Sequence, residues 1–213
     1  MKKLAMYSFY FVILSLLVTP VLAKGKYDLA TQKGIYQYSN YTASKSLSVL
    51  ILLDVKDKRA PEEKTGGLLD DQTLDEDWKR PMETMVTDIL TKEMQKSGLI
   101  KLIPPTPENT DYRVHIEILS LYGGTKERED ASAIKGWFVP RTAIGTAKLR
   151  MILEDKTGRE IINIDFLSTT EQEMRRMSNF HRGAIQNAAL ALRETVGQIL
   201  KDLDNRMRII SRK

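Results

Sequence analysis

The chain has no cysteine. That excludes disulfides, a thiol nucleophile and any thiolate-based metal cage. Histidine is nearly as scarce, with only His115 and His181. Two isolated histidines cannot form the usual zinc cage without carboxylate help, and no H-E-x-x-H spacing is present. No phosphate-binding loop, dinucleotide fingerprint or G-x-S-x-G elbow occurs either. The acids between Asp54 and Asp77 lack the calcium-loop register and are interrupted by Lys56, Lys58, Arg59 and Lys64. No pair of carboxylates is singled out for glycoside hydrolysis. The expectation is a protein that is not an enzyme and carries no catalytic residue, metal or cofactor.

What is present begins at the N-terminus. Lys2 and Lys3 precede an almost wholly apolar run from Leu4 to Val18, followed by Pro20 and Val21-Leu22-Ala23. Charge, apolar core and small-residue exit in that order read as a secretory signal peptide over residues 1–23. The run is short for a membrane span, which needs about 20 residues. Lys24 occupies the position after the expected cut, so no lipid anchor is expected there. Removing residues 1–23 takes away two lysines and no acid, which leaves 31 basic residues against 28 acidic from a starting 33 and 28. So mild a balance gives no nucleic-acid grip, which would need a concentrated basic face. The expected location is the periplasm.

Residues 24–46 are polar, dotted with tyrosine and without period. They read as a flexible arm or an edge element that orders late. A single domain is expected over residues 47–207, with a basic tail at 208–213. Leu47 to Lys56 is a dense apolar run of strand length. Residues 57–75, with Pro61 and Gly66-Gly67, read as a loop. Trp78, Met82, Met85, Val86, Ile89 and Met94 recur at three- and four-residue spacing and predict a helix with Pro81 in its first turn and Gly98 as its C-terminal stop. A short strand, LIKLI, follows. Tyr112, Val114, Ile116 and Ile118 alternate with Arg113, His115 and Glu117, which predicts a half-buried strand ending near Tyr122. A hairpin is predicted from the alternation at 147–153, the turn Asp155–Gly158 and a return strand from Glu160 to Leu167. Apolar positions from Ala184 to Met207 predict a last long helix from about Asn179 to Met207. The order is β-α-β-β-β-β-α. It predicts an α+β two-layer sandwich, with a mixed or mostly antiparallel sheet and two amphipathic helices on one face.

Between Tyr122 and Ala143 lies GGTKEREDASAIKGWFVPRT, long for a connection in a small domain. Its second half sets Ile134, Trp137, Phe138 and Val139 beside Lys135 and Arg141. Aromatic residues flanked by bases suit a partner surface or a membrane headgroup zone. The alternative is that Trp137 and Phe138 fold back onto the sheet as core. Ile134, Trp137, Phe138, Val139 and Arg141 are the candidate partner-binding residues.

The segments VLILLDVKD, DWKRPMETMVTDILTKEMQKSGL and DYRVHIEILSL, then a hairpin and a long alanine-bearing helix, form a pattern. It resembles the small periplasmic lipoproteins that serve as auxiliary components of envelope ABC transporters and lipid-trafficking systems. It is also similar to the α+β domain of outer-membrane secretion and Tol-system accessory proteins. Those families carry a lipidated cysteine where this chain has Lys24. The resemblance implies a domain that does no chemistry. It implies binding to other envelope proteins, often in rings or paired subunits. Self-association and contact with a membrane surface are both open. The rival readings are a carrier of a lipid or other apolar ligand, for which methionines on the first helix would suit an adaptable pocket, and a cell-wall hydrolase.

Overall fold

The computed structural model describes residues 27–30, 40–44, 46, 50–69, 71–100, 110–127, 141–174 and 180–210. The predicted signal over 1–23 lies outside them. The elements in order are strand β1 (Ile51–Asp57), a five-residue helix α1 (Pro61–Thr65), a 3-10 turn (Asp75–Asp77), helix α2 (Met82–Lys96), strands β2 (Tyr112–Glu127), β3 (Arg141–Asp155) and β4 (Glu160–Met174), and helix α3 (Phe180–Ile210). The four strands form one sheet in sequence order. β1 runs parallel to β2, while β2–β3 and β3–β4 are antiparallel. The architecture is α+β with a mixed open sheet, as its alternations imply.

Period two explains which face is covered. Val114, Ile116 and Ile118 of β2 stand beside Leu153, Met151 and Leu149 of β3 in register, and all six are fully buried. Ile51 and Val55 of β1 continue this face. A bulge between Ile118 and Ser120 then changes the phase, so that Leu121, Gly123 and Thr125 become the buried set. The helices close the layer. Met82, Met85, Val86, Ile89, Leu90 and Met94 give α2 a buried stripe, and α3 buries Ile185, Leu192, Val196, Ile199 and Leu203. Burying a side chain of this size contributes roughly 1.5–3 kcal/mol. α2 stops at Ser97, followed by Gly98 in the left-handed region at φ 71°.

Several boundaries differ from the sequence reading. Trp78 stands outside α2, extended and bridged to Tyr27, and Pro81 is the N-cap rather than a first-turn residue. Its fixed φ ends the extended entry where the helix starts. The region read as a loop contains α1, with Pro61 at its start. β2 runs on to Glu127 and β3 starts at Arg141, so Gly123 and Gly124 are strand residues. β4 continues past Leu167 to Met174. Of the short strand predicted at 99–103, Leu99 and Ile100 are described and buried, and the rest lies outside the described residues. Residues 208–210, read as tail, end α3, where Arg208 sits 2.6 Å from Asp204 one turn back.

The described parts of the arm are tied into the domain. Tyr27 N–H donates to the Asp77 carbonyl and Lys79 N–H donates to the Tyr27 carbonyl, both at 2.7 Å. Leu29 is buried, the Ala43 amide donates to the Ser97 carbonyl, and the Tyr41 hydroxyl donates to Asp204 on α3. These contacts cross between the two helices, which local polarity in the arm does not reveal.

Candidate binding surface

The face of the sheet opposite the helices follows from the same alternation. His115, near the start of β2, has Nδ1 3.2 Å from Asp54 of β1 and Nε2 3.2 Å from Glu154 of β3. Arg150 of β3 reaches Asp165 of β4 at 2.7 Å and Glu117 of β2 at 3.6 Å, and Lys148 adds a second cation 3.1 Å from Asp165. The Arg150 guanidinium, with Lys148 beside it, holds the Asp165 carboxyl below the usual carboxylate range. Polar and charged side chains set on neighbouring strands link all four strands laterally. His115 is therefore a half-buried member of a polar lattice on this outer face.

Among the described residues β4 is the last strand of the sheet, and at 15 residues it is long for an edge. Every second residue of such a strand points its N–H and C=O away from the sheet. Between Glu160 and Met174 it holds four acids, Glu160, Asp165, Glu171 and Glu173, and no Lys or Arg. Leu167, on its outer side, is 57% exposed. Outward positions alternate with Ile164 and Phe166, which are partly buried against the core. None of the candidate residues read from the sequence lies on this edge. Its signal was the unbroken run of strand-compatible Ser168-Thr169-Thr170 after Phe166 and Leu167.

Of the sequence candidates, Arg141 is described and Ile134, Trp137, Phe138 and Val139 lie outside the described residues. Arg141 opens β3 at the end of the sheet where that connection enters. Its Nη1 is 2.8 Å from Asp71 and 3.4 Å from the Thr125 hydroxyl, and its guanidinium stands 5.1 Å over the Phe180 ring. Its charge thus joins the 66–74 segment, β2 and α3, and holds the base of the connection in place.

Two further clusters involve the 57–77 segment. Arg59, with its side chain 1% exposed, is held by Asp57 at 2.8 Å and Asp75 at 2.7 Å. Burial opposes ionisation of Asp57, but the Arg59 side chain and amide outweigh it and hold the carboxyl low. A cleft of about 390 Å³ opens beside this pair, lined also by Trp78, Lys79, Arg80 and Glu83. The second cluster is Asp77, which is fully buried, accepts the Leu74 N–H at 2.8 Å and faces His181 Nε2 at 3.2 Å. The Tyr27 ring meets the His181 ring at a centroid distance of 6.0 Å. His181 therefore joins the start of α3 to the 3-10 turn and the N-terminal segment.

Met82, Met85 and Met94, which by spacing could have lined an adaptable chamber, are packed in the core. Among the described residues no group of three or more His, Asp or Glu is placed to hold a metal ion. No described helix is long and apolar enough to cross a membrane.

No family model matches the chain, and no curated protein matches it. Solved structures do share its course. A protein of the DUF330 family from Xanthomonas campestris has 15% identity, with 82% of this chain and 93% of that chain covered at a TM-score of 0.48. A homolog of neuraminyllactose-binding hemagglutinin from Helicobacter pylori has 13% identity, 82% and 94% coverage and a TM-score of 0.45. A lipoprotein B from Nitrosomonas europaea has 12% identity, 76% and 87% coverage and a TM-score of 0.45. At these values the likeness is one of general course, and no function is carried across.

Proposed function

We propose that this chain is a non-enzymatic accessory protein of the bacterial envelope, exported by its N-terminal signal and acting by protein binding within a transport or assembly machine. The observation that carries the binding role is the edge strand β4. It is long, terminates the sheet, and presents outward Leu167 among polar residues. Main-chain groups on an open edge give affinity for an added strand, and alternate side chains give selectivity. Lys2, Lys3, the apolar run to Val18 and the Ala23 exit support the location.

In-cell crosslinking tests this reading. A photoreactive residue at Asn163, exposed on the outer side of β4, should capture a specific envelope protein. The same residue at Lys201, exposed on α3, should not. An exported, folded variant that yields no adduct from Asn163 would overturn the binding role of this edge.

A further inference from the structure

We propose that the occupant of the β4 edge is β4 of a second copy, paired antiparallel about a two-fold axis at Leu167. This deepens the binding role proposed above and rests on it. A closed two-copy contact must be isologous, and two identical edges meet isologously only when antiparallel. Leu167 is the midpoint of Glu160–Met174, so an axis there pairs the regular part of the strand, Ile162 to Gln172, with no overhang, up to the bulge at Ile161. It is also the exposed large apolar side chain of the strand, and the axis sets it against its own copy.

The charges select the same register. With Leu167 on the axis, Asp165 lies opposite Thr169 and Asn163 opposite Glu171, the regular register running as far as the bulge at Ile161. No acid faces an acid. An axis at Asp165 sets that carboxylate against itself, one at Ser168 sets Asp165 against Glu171, and one at Thr169 sets it against Glu173. Like charges directly opposite destabilise a pair. An axis at Phe166 avoids this but places Leu167 opposite Asp165. Asp165 and Glu171 are moreover neutralised within each copy, by Arg150 and Lys148 and by Lys126 at 3.4 Å. On the helix side, the same register brings Phe166 opposite Ser168 and Ile164 opposite Thr170, and extends the apolar layer across the seam. The product doubles the four-stranded sheet and removes its longest open edge.

The absence of cysteine makes the test direct. In Leu167→Cys the two thiols face each other within about 5 Å, so mild oxidation should yield a disulfide dimer. Asn163→Cys alone and Glu171→Cys alone should stay uncrosslinked, while an equal mixture of the two should crosslink. Leu167→Glu places like charges on the axis and should weaken self-association at least tenfold by sedimentation, with an unchanged circular dichroism spectrum because the site is exposed. A chain that sediments as a monomer throughout, or that crosslinks through Glu171→Cys alone, overturns the inference. In cells, an Asn163 adduct to a different envelope protein without any self-adduct removes the dimer and leaves the binding role standing. No adduct of either kind removes both.

Discussion

Gly123 and Gly145 lie opposite one another in the β2–β3 register, and α3 rests directly on both. A methyl group at Gly123 would stand 1.9 Å from the Ala184 carbonyl oxygen, and one at Gly145 would stand 2.0 Å from the carbonyl of Asn187. The obstacles are helix backbone, which cannot rotate aside. This pair of bare backbones, matched by the small residues Gly183, Ala184 and Ala188 on α3, lets helix and sheet approach closely and seats the helix.

Gly123→Ala and Gly145→Ala should therefore each destabilise the fold by about 3 kcal/mol or more, beyond ordinary overpacking, because the helix itself must move. Gly98→Ala is the comparison. Its cost is only that of φ 71° for a residue with a Cβ, about 1–2 kcal/mol, since nothing lies near the added atom. Urea denaturation of the three variants checks the ranking. Equal losses would contradict it.

Arg59→Ala should cost about 3 kcal/mol, because it leaves the largely buried Asp57 with only the more exposed Lys64, at 3.3 Å, as a cation. The pH dependence has a definite sign. The folded carboxyl of Asp57 lies below its ordinary 3.8, so the stabilisation is complete above that value and is lost as pH falls through the lower folded value. Acid titration of stability should show this loss in the parent chain and a weaker one in Arg59→Ala.

Tyr41 donates to Asp204, and burial together with that carboxylate pushes its phenol up to about 12 from 10.0. A raised folded value means that the contact contributes fully below pH 10 and is lost as pH rises towards 12. Tyr41→Phe should flatten the fall in stability across that interval. It should also speed amide exchange at Ala43, whose N–H donates to the Ser97 carbonyl from the same segment.

Asp77→Ala should cost about 2–4 kcal/mol. It removes the acceptor of the Leu74 amide and the buried charge facing His181. Asp77→Asn keeps an acceptor for the Leu74 amide and should recover part of the loss. Thermal unfolding separates the two, and a full loss in the Asn variant would mean that charge, not the amide bond, dominates.

The sequence by itself determined the alternation of β2 and β3, the stripe on α2 and the long face of α3. In each, the apolar period is local and matches the period of the backbone. The turn at Gly158 was legible for the same reason, since φ 82° there requires glycine. The tertiary structure alone decided the rest. Gly123 and Gly124 carry the signals of a loop, and only the helix lying on Gly123 shows why a strand keeps a glycine there. The polar end of β4, Ser168 to Met174, has no strong period, and its strand state comes from pairing with β3. Arg141 was legible as a basic residue at the mouth of a long connection, but its partners Asp71 and Phe180 are remote in sequence. The same holds for the bonds that tie Tyr27 to Asp77 and Tyr41 to Asp204. Local periodicity reports which side of an element is buried; which distant residue buries it is set by packing, and that is where the edge at Leu167 came to stand open.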